Sequence, residues 1–368
     1  MKKRKIMKIK RPIWYVPEND LVQVIDQRKL PHIFEVFDIK NSDDTVYAIK
    51  NMVVRGAPLI GVTAAWGFYK ALENEGTDDD SVLEIEKKIN SSRPTAMNLF
   101  YATKKVRAAV LKQDSPEKRI ETAKRTAEEV EAAEIYNCRK IGEFGVSLIE
   151  DIYSYKNNVV NILTHCNAGW LACVEYGTAT SPIYHAHEKG IPVHVWVDET
   201  RPLNQGARLT SWELEQAGVP HTVIADNTGG HLMQHDLVDI VIVGSDRTTV
   251  NGDVANKIGT YLKALAARDN RIPFYAALPG STIDWELEDG VRNIPIELRD
   301  EEEIKYIEGL GSNGVEKFLI TPKHAHAANY AFDVTPARLV TGIITEKGIA
   351  RAEKEDLLRL FPEYRYNR

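Results

Sequence analysis

The chain has 368 residues, 43% of them hydrophobic and 27% charged, the make-up of an ordinary globular protein long enough for two domains. A formal net charge of -6 excludes a general nucleic-acid binder, whose footprint would be basic, and no window approaches the ~18 uninterrupted apolar residues of a membrane helix. Three cysteines (Cys138, Cys166, Cys173) without a signal-peptide pattern point to free thiols in a reducing compartment, so a cytoplasmic protein is expected.

In chain order, the stretch from Lys2 to Arg11 carries seven basic residues and no acid and reads as a solvated tail. The alternation Leu21-Val22-Gln23-Val24-Ile25 predicts a small antiparallel sheet. Arg55-Gly56-Ala57-Pro58 opens an apolar, small-residue segment over 59–69 that reads as a buried helix, and two more helical patterns lie within 81–113. A longer helix starts at Asp114-Ser115-Pro116-Glu117, with Asp114 as the expected N-cap and Pro116 in the first turn. From about residue 158 the rhythm changes. Apolar runs of strand length fall at 159–163, 193–197, 222–225, 240–243, 274–278 and 318–321, most of them separated by amphipathic helical segments such as 209–217 and 257–267. Strands alternating with helices imply right-handed βαβ units. The expected fold class is therefore α/β. A mostly helical domain with a small antiparallel sheet spans 1–155, and a Rossmann-like doubly wound, mainly parallel sheet spans 156–368.

Chemistry concentrates after two of the apolar runs. Thr164-His165-Cys166-Asn167-Ala168-Gly169 follows one, and Gly244-Ser245-Asp246-Arg247 follows another. That places Cys166 and Asp246 at the carboxyl ends of two strands, where open parallel sheets bind their ligands. A glycine turn opening a helix beside Cys166 would put the thiol near a positive dipole end and lower its pKa. The plainer readings are a small buried cysteine, and an aspartate that caps a helix or pairs with Arg247. Their joint placement favours an acid/base pair. No Gly-x-Gly-x-x-Gly follows the first strand of the second domain and no Walker A sequence occurs, so no nucleotide cofactor is expected. His185-Ala186-His187 and His324-Ala325-His326, even with Asp246 and Asp253 as added carboxylates, lack the spacing of a metal site, and none is expected. Arg55-Gly56-Ala57, Ser92-Arg93-Pro94, Arg201, Gln205-Gly206-Ala207-Arg208 and Asn256-Lys257 combine cations or amides with glycines or helix starts, which suits a small phosphorylated substrate.

At these residues the chain resembles the S-methyl-5-thioribose-1-phosphate isomerase family of methionine salvage. That family is grouped with ribose-1,5-bisphosphate isomerases and the regulatory subunits of the initiation-factor nucleotide-exchange complex. The likeness runs from Arg55-Gly56-Ala57-Pro58 through Glu199-Thr200-Arg201-Pro202, Gln205-Gly206-Ala207-Arg208-Leu209-Thr210 and Asn256-Lys257-Ile258-Gly259-Thr260 to the region 336–348. The resemblance implies conversion of an aldose 1-phosphate to the 1-phosphoketose without metal or cofactor, in a homodimer. It gives Asp246 the role of acid in ring opening and Cys166 that of partner at C2 and C1, by an enolate or in support of a hydride shift. It gives substrate contacts to Arg55, Gly56, Ala57, Arg93, Gln205, Asn256 and Lys257. The chain departs from the family pattern at Asn227-Thr228-Gly229-Gly230-His231 and at Ser245, where alanine is usual. Both departures are expected to reshape or polarise the pocket for the sugar's 5′ substituent, which leaves 5-deoxyribose 1-phosphate open as a substrate. Ribose 1,5-bisphosphate isomerisation and a non-catalytic regulatory subunit are the alternatives. The first would need a second cationic site, for which this loop offers only His231, and the second has no need of the Cys166 and Asp246 pair.

Overall fold

The computed structural model describes residues 11–93 and 96–365, so Pro94 and most of the basic amino-terminal stretch lie outside the described residues. The chain divides into two compact units. The first takes the chain up to Arg28, then Phe34–Arg139 and Trp170–Gly177, and the second takes Lys29–Ile33, Lys140–Gly169 and Thr178 onward.

In the first unit, β1 (Ile13–Val16), β2 (Leu21–Ile25) and β3 (Val36–Ile39) form the expected antiparallel sheet, with Ile13 opposite Val24 and Val22 opposite Ile39. Four helices follow: α1 (Ser42–Lys50), α2 (Ala57–Glu75), α3 (Asp79–Asn90) and α4 (Met97–Val110). Helix α2 is buried on every side over its first sixteen residues because α1, α3 and α4 all pack against it. Apolar residues all round a helix call for that kind of enclosure. Long helix α5 (Pro116–Lys156) starts where expected, but its cap is Ser115, whose Oγ accepts the Lys118 amide at 3.3 Å, and not Asp114. Pro116 takes the first helical position, which fixes the residue before it as the cap.

The second unit contains β4 (Val160–Thr164), α6 (Ser181–Glu188), β5 (Val193–Asp198), α7 (Ser211–Ala217), β6 (His221–Ile224), α8 (Thr228–Gln234) and β7 (Ile240–Val243). It continues with β8 (Arg247–Thr249), β9 (Val254–Lys257), α9 (Thr260–Asp269), β10 (Phe274–Ala277) and β11 (Ile283–Asp284). Then come β12 (Leu298–Arg299), β13 (Tyr306–Gly311), β14 (Gly314–Leu319), β15 (Asn329–Tyr330), β16 (Phe332–Thr335), β17 (Gly342–Thr345) and β18 (Gly348–Ala350). The main sheet has the order β18-β17-β10-β7-β4-β5-β6, parallel throughout except for β18. Five of the six expected strands belong to it. The sixth, 318–321, does not: Phe318 and Leu319 end β14 of an antiparallel hairpin with β13, with Leu310, Phe318 and Ile320 exposed. Its place is taken by β17, every residue of which is buried. A smaller sheet of order β11-β8-β9-β16 branches off after β7.

The chain lays β5 and β6 to one side of β4, then returns to set β7, β10 and β17 on the other. The direction of winding therefore reverses between β4 and β7, and outside the carboxyl ends of the strands flanking such a reversal a sheet of this kind leaves a crevice.

Candidate active site

Cys166 lies just beyond the end of β4 and Asp246 just beyond the end of β7, on the two strands that flank the reversal. Neighbouring strands lie ~4.8 Å apart, so the fold brings the two groups to one end of the sheet. Cys166 is 8% exposed and holds φ at +62°, a left-handed conformation that non-glycine residues seldom adopt. Its amide donates to Thr200 Oγ1 at 2.8 Å and its carbonyl accepts from Thr210 Oγ1 at 2.7 Å. In place of the expected helix after the cysteine, Trp170–Ala172 make a single 3-10 turn, which is too short to supply the expected dipole. Asn167, next after Cys166, serves the buried Glu213, whose carboxylate accepts Asn167 Nδ2 at 2.8 Å and the hydroxyl of Tyr184 on α6 at 3.2 Å. Burial, with Glu213 beside it, pushes the Tyr184 hydroxyl well above the usual tyrosine range.

Asp246 is half-buried, and its amide donates to the Ala255 carbonyl at 2.9 Å. Arg247 turns away to the Asp284 carboxylate, with Nε at 3.0 Å from Oδ2, so it is not the partner of Asp246. The Ser245 hydroxyl sits 2.8 Å from Thr248 Oγ1 and 3.3 Å from the Ala255 carbonyl. Its polarity is thus satisfied within the β8 and β9 strands.

Of the other expected substrate contacts, Asn256 and Lys257 lie on β9 and not at a helix start. Asn256 is 5% exposed and donates to Thr260 Oγ1 at 3.0 Å, and the Lys257 ammonium stands 4.8 Å from the centre of the Phe332 ring. Gln205 is 6% exposed, and its Oε1 is buried without a hydrogen-bond partner among the described residues. Gly206 beside it must lack a side chain, because a Cβ would fall 1.7 Å from the Asp198 carbonyl oxygen. Arg201 and Arg208 are engaged by the protein, the first with the Ile304 carbonyl and the second with the Leu30 carbonyl and Glu308. In the first unit, Gly56 is the N-cap of α2 with Ala57 its first residue, Arg55 precedes them, and half-buried Arg93 lies between α3 and α4.

The sequence reading missed a buried polar group behind Cys166. His165 Nδ1 is 2.9 Å from Asp198 Oδ2, and its Nε2 is 2.8 Å from the Ile258 carbonyl. Lys263 Nζ lies 3.0 Å from the same Asp198 oxygen and also donates to the Asp226 carbonyl. The Asp226 carboxylate accepts the amides of Thr200 and Arg201 at 2.9 and 2.8 Å. Asp333 accepts the amides of Gly259 and Tyr261, and burial holds its carboxyl above the usual range. Ligand atoms of His165, Asp198 and Asp226 lie within 4.8 Å of one another, as a metal would require, but the Lys263 ammonium already supplies the cation there. Lys263 falls on the buried stripe of α9 with Thr260, Ala264 and Ala267, which only the folded structure reveals. The His-x-His pairs have local roles or none: His185 Nδ1 meets the Ser181 carbonyl, and His324 and His326 are exposed. Asp253 accepts the amides of Gly290 and Ala337.

Comparison with known proteins bears on the family and the fold. The model of the Initiation factor 2 subunit family matches residues 53–352. A relative from Desulfosudis oleivorans, named methylthioribose-1-phosphate isomerase, is 57% identical over 360 residues, covering 96% of this chain and 98% of its own. The crystal structure of 5-methylthioribose 1-phosphate isomerase from Pyrococcus horikoshii OT3 superposes with a TM-score of 0.82 at 36% identity, over 99% of this chain and 100% of that one. A structure described as translation initiation factor eIF-2B, subunit delta, from A. fulgidus superposes with a TM-score of 0.80 at 37% identity, over 96% and 99%.

Proposed function

Because the chain belongs to the Initiation factor 2 subunit family and its full-length relatives at 52–57% identity are named for one reaction, we propose that it isomerises methylthioribose 1-phosphate to methylthioribulose 1-phosphate. The supporting observation is the placement of a thiol and a carboxyl at the carboxyl ends of β4 and β7, where the winding of the sheet reverses. Phosphate on the anomeric oxygen blocks the ring opening that free sugars undergo. Asp246 protonates the ring oxygen to open the sugar, and Cys166 serves the transfer of hydrogen from C2 to C1. Half-burial suits Asp246 to this, since its carboxyl has no hydrogen bond or ion pair among the described residues to compete with the substrate. The unmet Gln205 Oε1 is suited to a sugar hydroxyl, because a buried acceptor gains most from a partner. The family resemblance assigns phosphate and sugar contacts to Asn256 and Lys257 in the second unit, and likewise to Arg55, Gly56, Ala57 and Arg93 in the first. Helix α2 favours this role at Gly56 and Ala57, because its first turn has no side-chain cap and its dipole is positive at that end. The protein works as a cytoplasmic homodimer.

The test is phosphorus NMR of the purified protein with methylthioribose 1-phosphate, beside Cys166→Ser and Asp246→Asn. General acid/base groups contribute roughly 10²–10⁴-fold each, so each variant is expected to lose at least ~100-fold in kcat. Wild-type protein that forms no ketose from any sugar 1-phosphate would move the reading to the regulatory-subunit class, for which the likeness to the eIF-2B delta structure is the argument.

A further inference from the structure

His165 is 1% exposed, directly precedes Cys166, and has both ring nitrogens engaged. The Ile258 carbonyl can only accept, so Nε2 donates to it, while Nδ1 faces Asp198 Oδ2. The ring thereby bridges two loops. On one side Asp198 is fixed by Lys263, and Thr200 Oγ1 donates to the Asp198 carbonyl at 3.0 Å while accepting the Cys166 amide. On the other side Ile258 directly follows Asn256 and Lys257. Gly259, at φ +103°, leaves room for the ring: a Cβ there would stand 3.1 Å from His165 Cε1.

Buried ionisable groups are costly to desolvate, and an apolar cluster would fill this space at least as well. A left-handed non-glycine residue persists only where its surroundings over-determine it, and Cys166 is such a residue. Both observations fit a device that fixes geometry. We propose that His165 is a positioning residue of the isomerase, which locks the Cys166 loop in register with the Asn256 and Lys257 strand so that the thiol meets the bound sugar phosphate at one fixed place. This rests on the reading of Cys166 as the group acting at C2 and C1, and deepens it.

The two links can be cut separately. His165→Asn keeps a donor near the Nδ1 position, facing Asp198, whereas His165→Gln keeps one near Nε2, facing Ile258. Misplacement of a reacting group by about 1 Å costs ~10²-fold, so each variant is expected to lose roughly 100-fold in kcat with KM changed by less than about threefold. The rate at which iodoacetamide alkylates Cys166, followed by mass spectrometry, is expected to shift by more than about threefold as the loop relaxes. Both variants folding by circular dichroism and turning over within about threefold of wild type would overturn the proposal, as would lowered melting temperatures with unchanged kcat and alkylation rate. If neither variant folds, Thr200→Val, which removes the acceptor of the Cys166 amide, is read in the same way. Cys166→Ser separates the two ideas. Full turnover by that variant would overturn the role of Cys166, while alkylation of Cys166 in the His165 variants would still decide whether His165 positions it.

Discussion

Lys263 shows how one side chain can hold a site it need not touch. Its side chain is 5% exposed and that of Asp198 is 0%, and the ammonium stands 3.0 Å from the carboxylate. Such a pair is not a large net source of stability, because both ions lost their water on burial. Breaking it is another matter, since a carboxylate left underneutralised has no solvent to turn to. Lys263→Met keeps the volume of the stem and removes the charge. Removal of one partner from a buried pair costs about 3–5 kcal/mol. We expect urea unfolding of the variant to show a loss in that range, reduced to the extent that His165 alone can serve Asp198. A loss under about 1 kcal/mol would mean that solvent reaches Asp198 and that the pair behaves like one on the surface.

At the scale of elements, helices α2 and α5 meet through Glu131, which accepts Trp66 Nε1 at 2.8 Å and pairs with Arg11 at 3.2 Å. Burial holds the Glu131 carboxyl above its ordinary value of 4.5, with the Trp66 hydrogen bond and Arg11 pulling it partly back. The folded state therefore binds this proton more tightly than the unfolded chain. The group's contribution to stability is complete below pH 4.5 and is lost as pH rises through the folded value. Glu131→Gln keeps an acceptor for Trp66 without the titration. Denaturation at a series of pH values should show the variant gaining on wild type as pH rises from 4.5, and a constant difference would contradict the assignment. Most elements were legible because each leaves a periodic trace: the alternation at 21–25, the apolar run of α2, and five of the parallel strands. The run at 318–321 misled because an apolar stretch of strand length reads alike in a central parallel strand and in an exposed hairpin. Composition does not say which partner it finds.

Across the whole molecule, the two blocks that carry the proposed chemistry were legible because turns after apolar runs are easy to see. Their adjacency was not, since the order β7-β4-β5 depends on which strands pair, and pairing leaves no trace in either strand alone. The network behind Cys166 was hidden for a similar reason: Lys263 on an amphipathic helix looks like a solvated face until the buried stripe is known. Under the proposed function, the departure at Asn227 to His231 is read as facing the sugar's 5′ end. His231, the cation that this loop offers, is exposed on α8 with its ring 4.3 Å from that of His235. Lys263 beside this region is held by Asp198 and by the Asp226 carbonyl. A second phosphate at C5 would then lose water with neither His231 nor Lys263 placed to receive it, at a cost of several kcal/mol. Loss of a methylthio group forfeits only ~1–3 kcal/mol of apolar contact. With the three sugars compared by initial rates, kcat/KM for 5-deoxyribose 1-phosphate should fall within roughly 10–200-fold of that for methylthioribose 1-phosphate. Ribose 1,5-bisphosphate should lie at least about 100-fold below the better of the two. Equal use of the bisphosphate would instead require that His231 turn inward from His235 on binding, and His231→Gln would then abolish that activity alone.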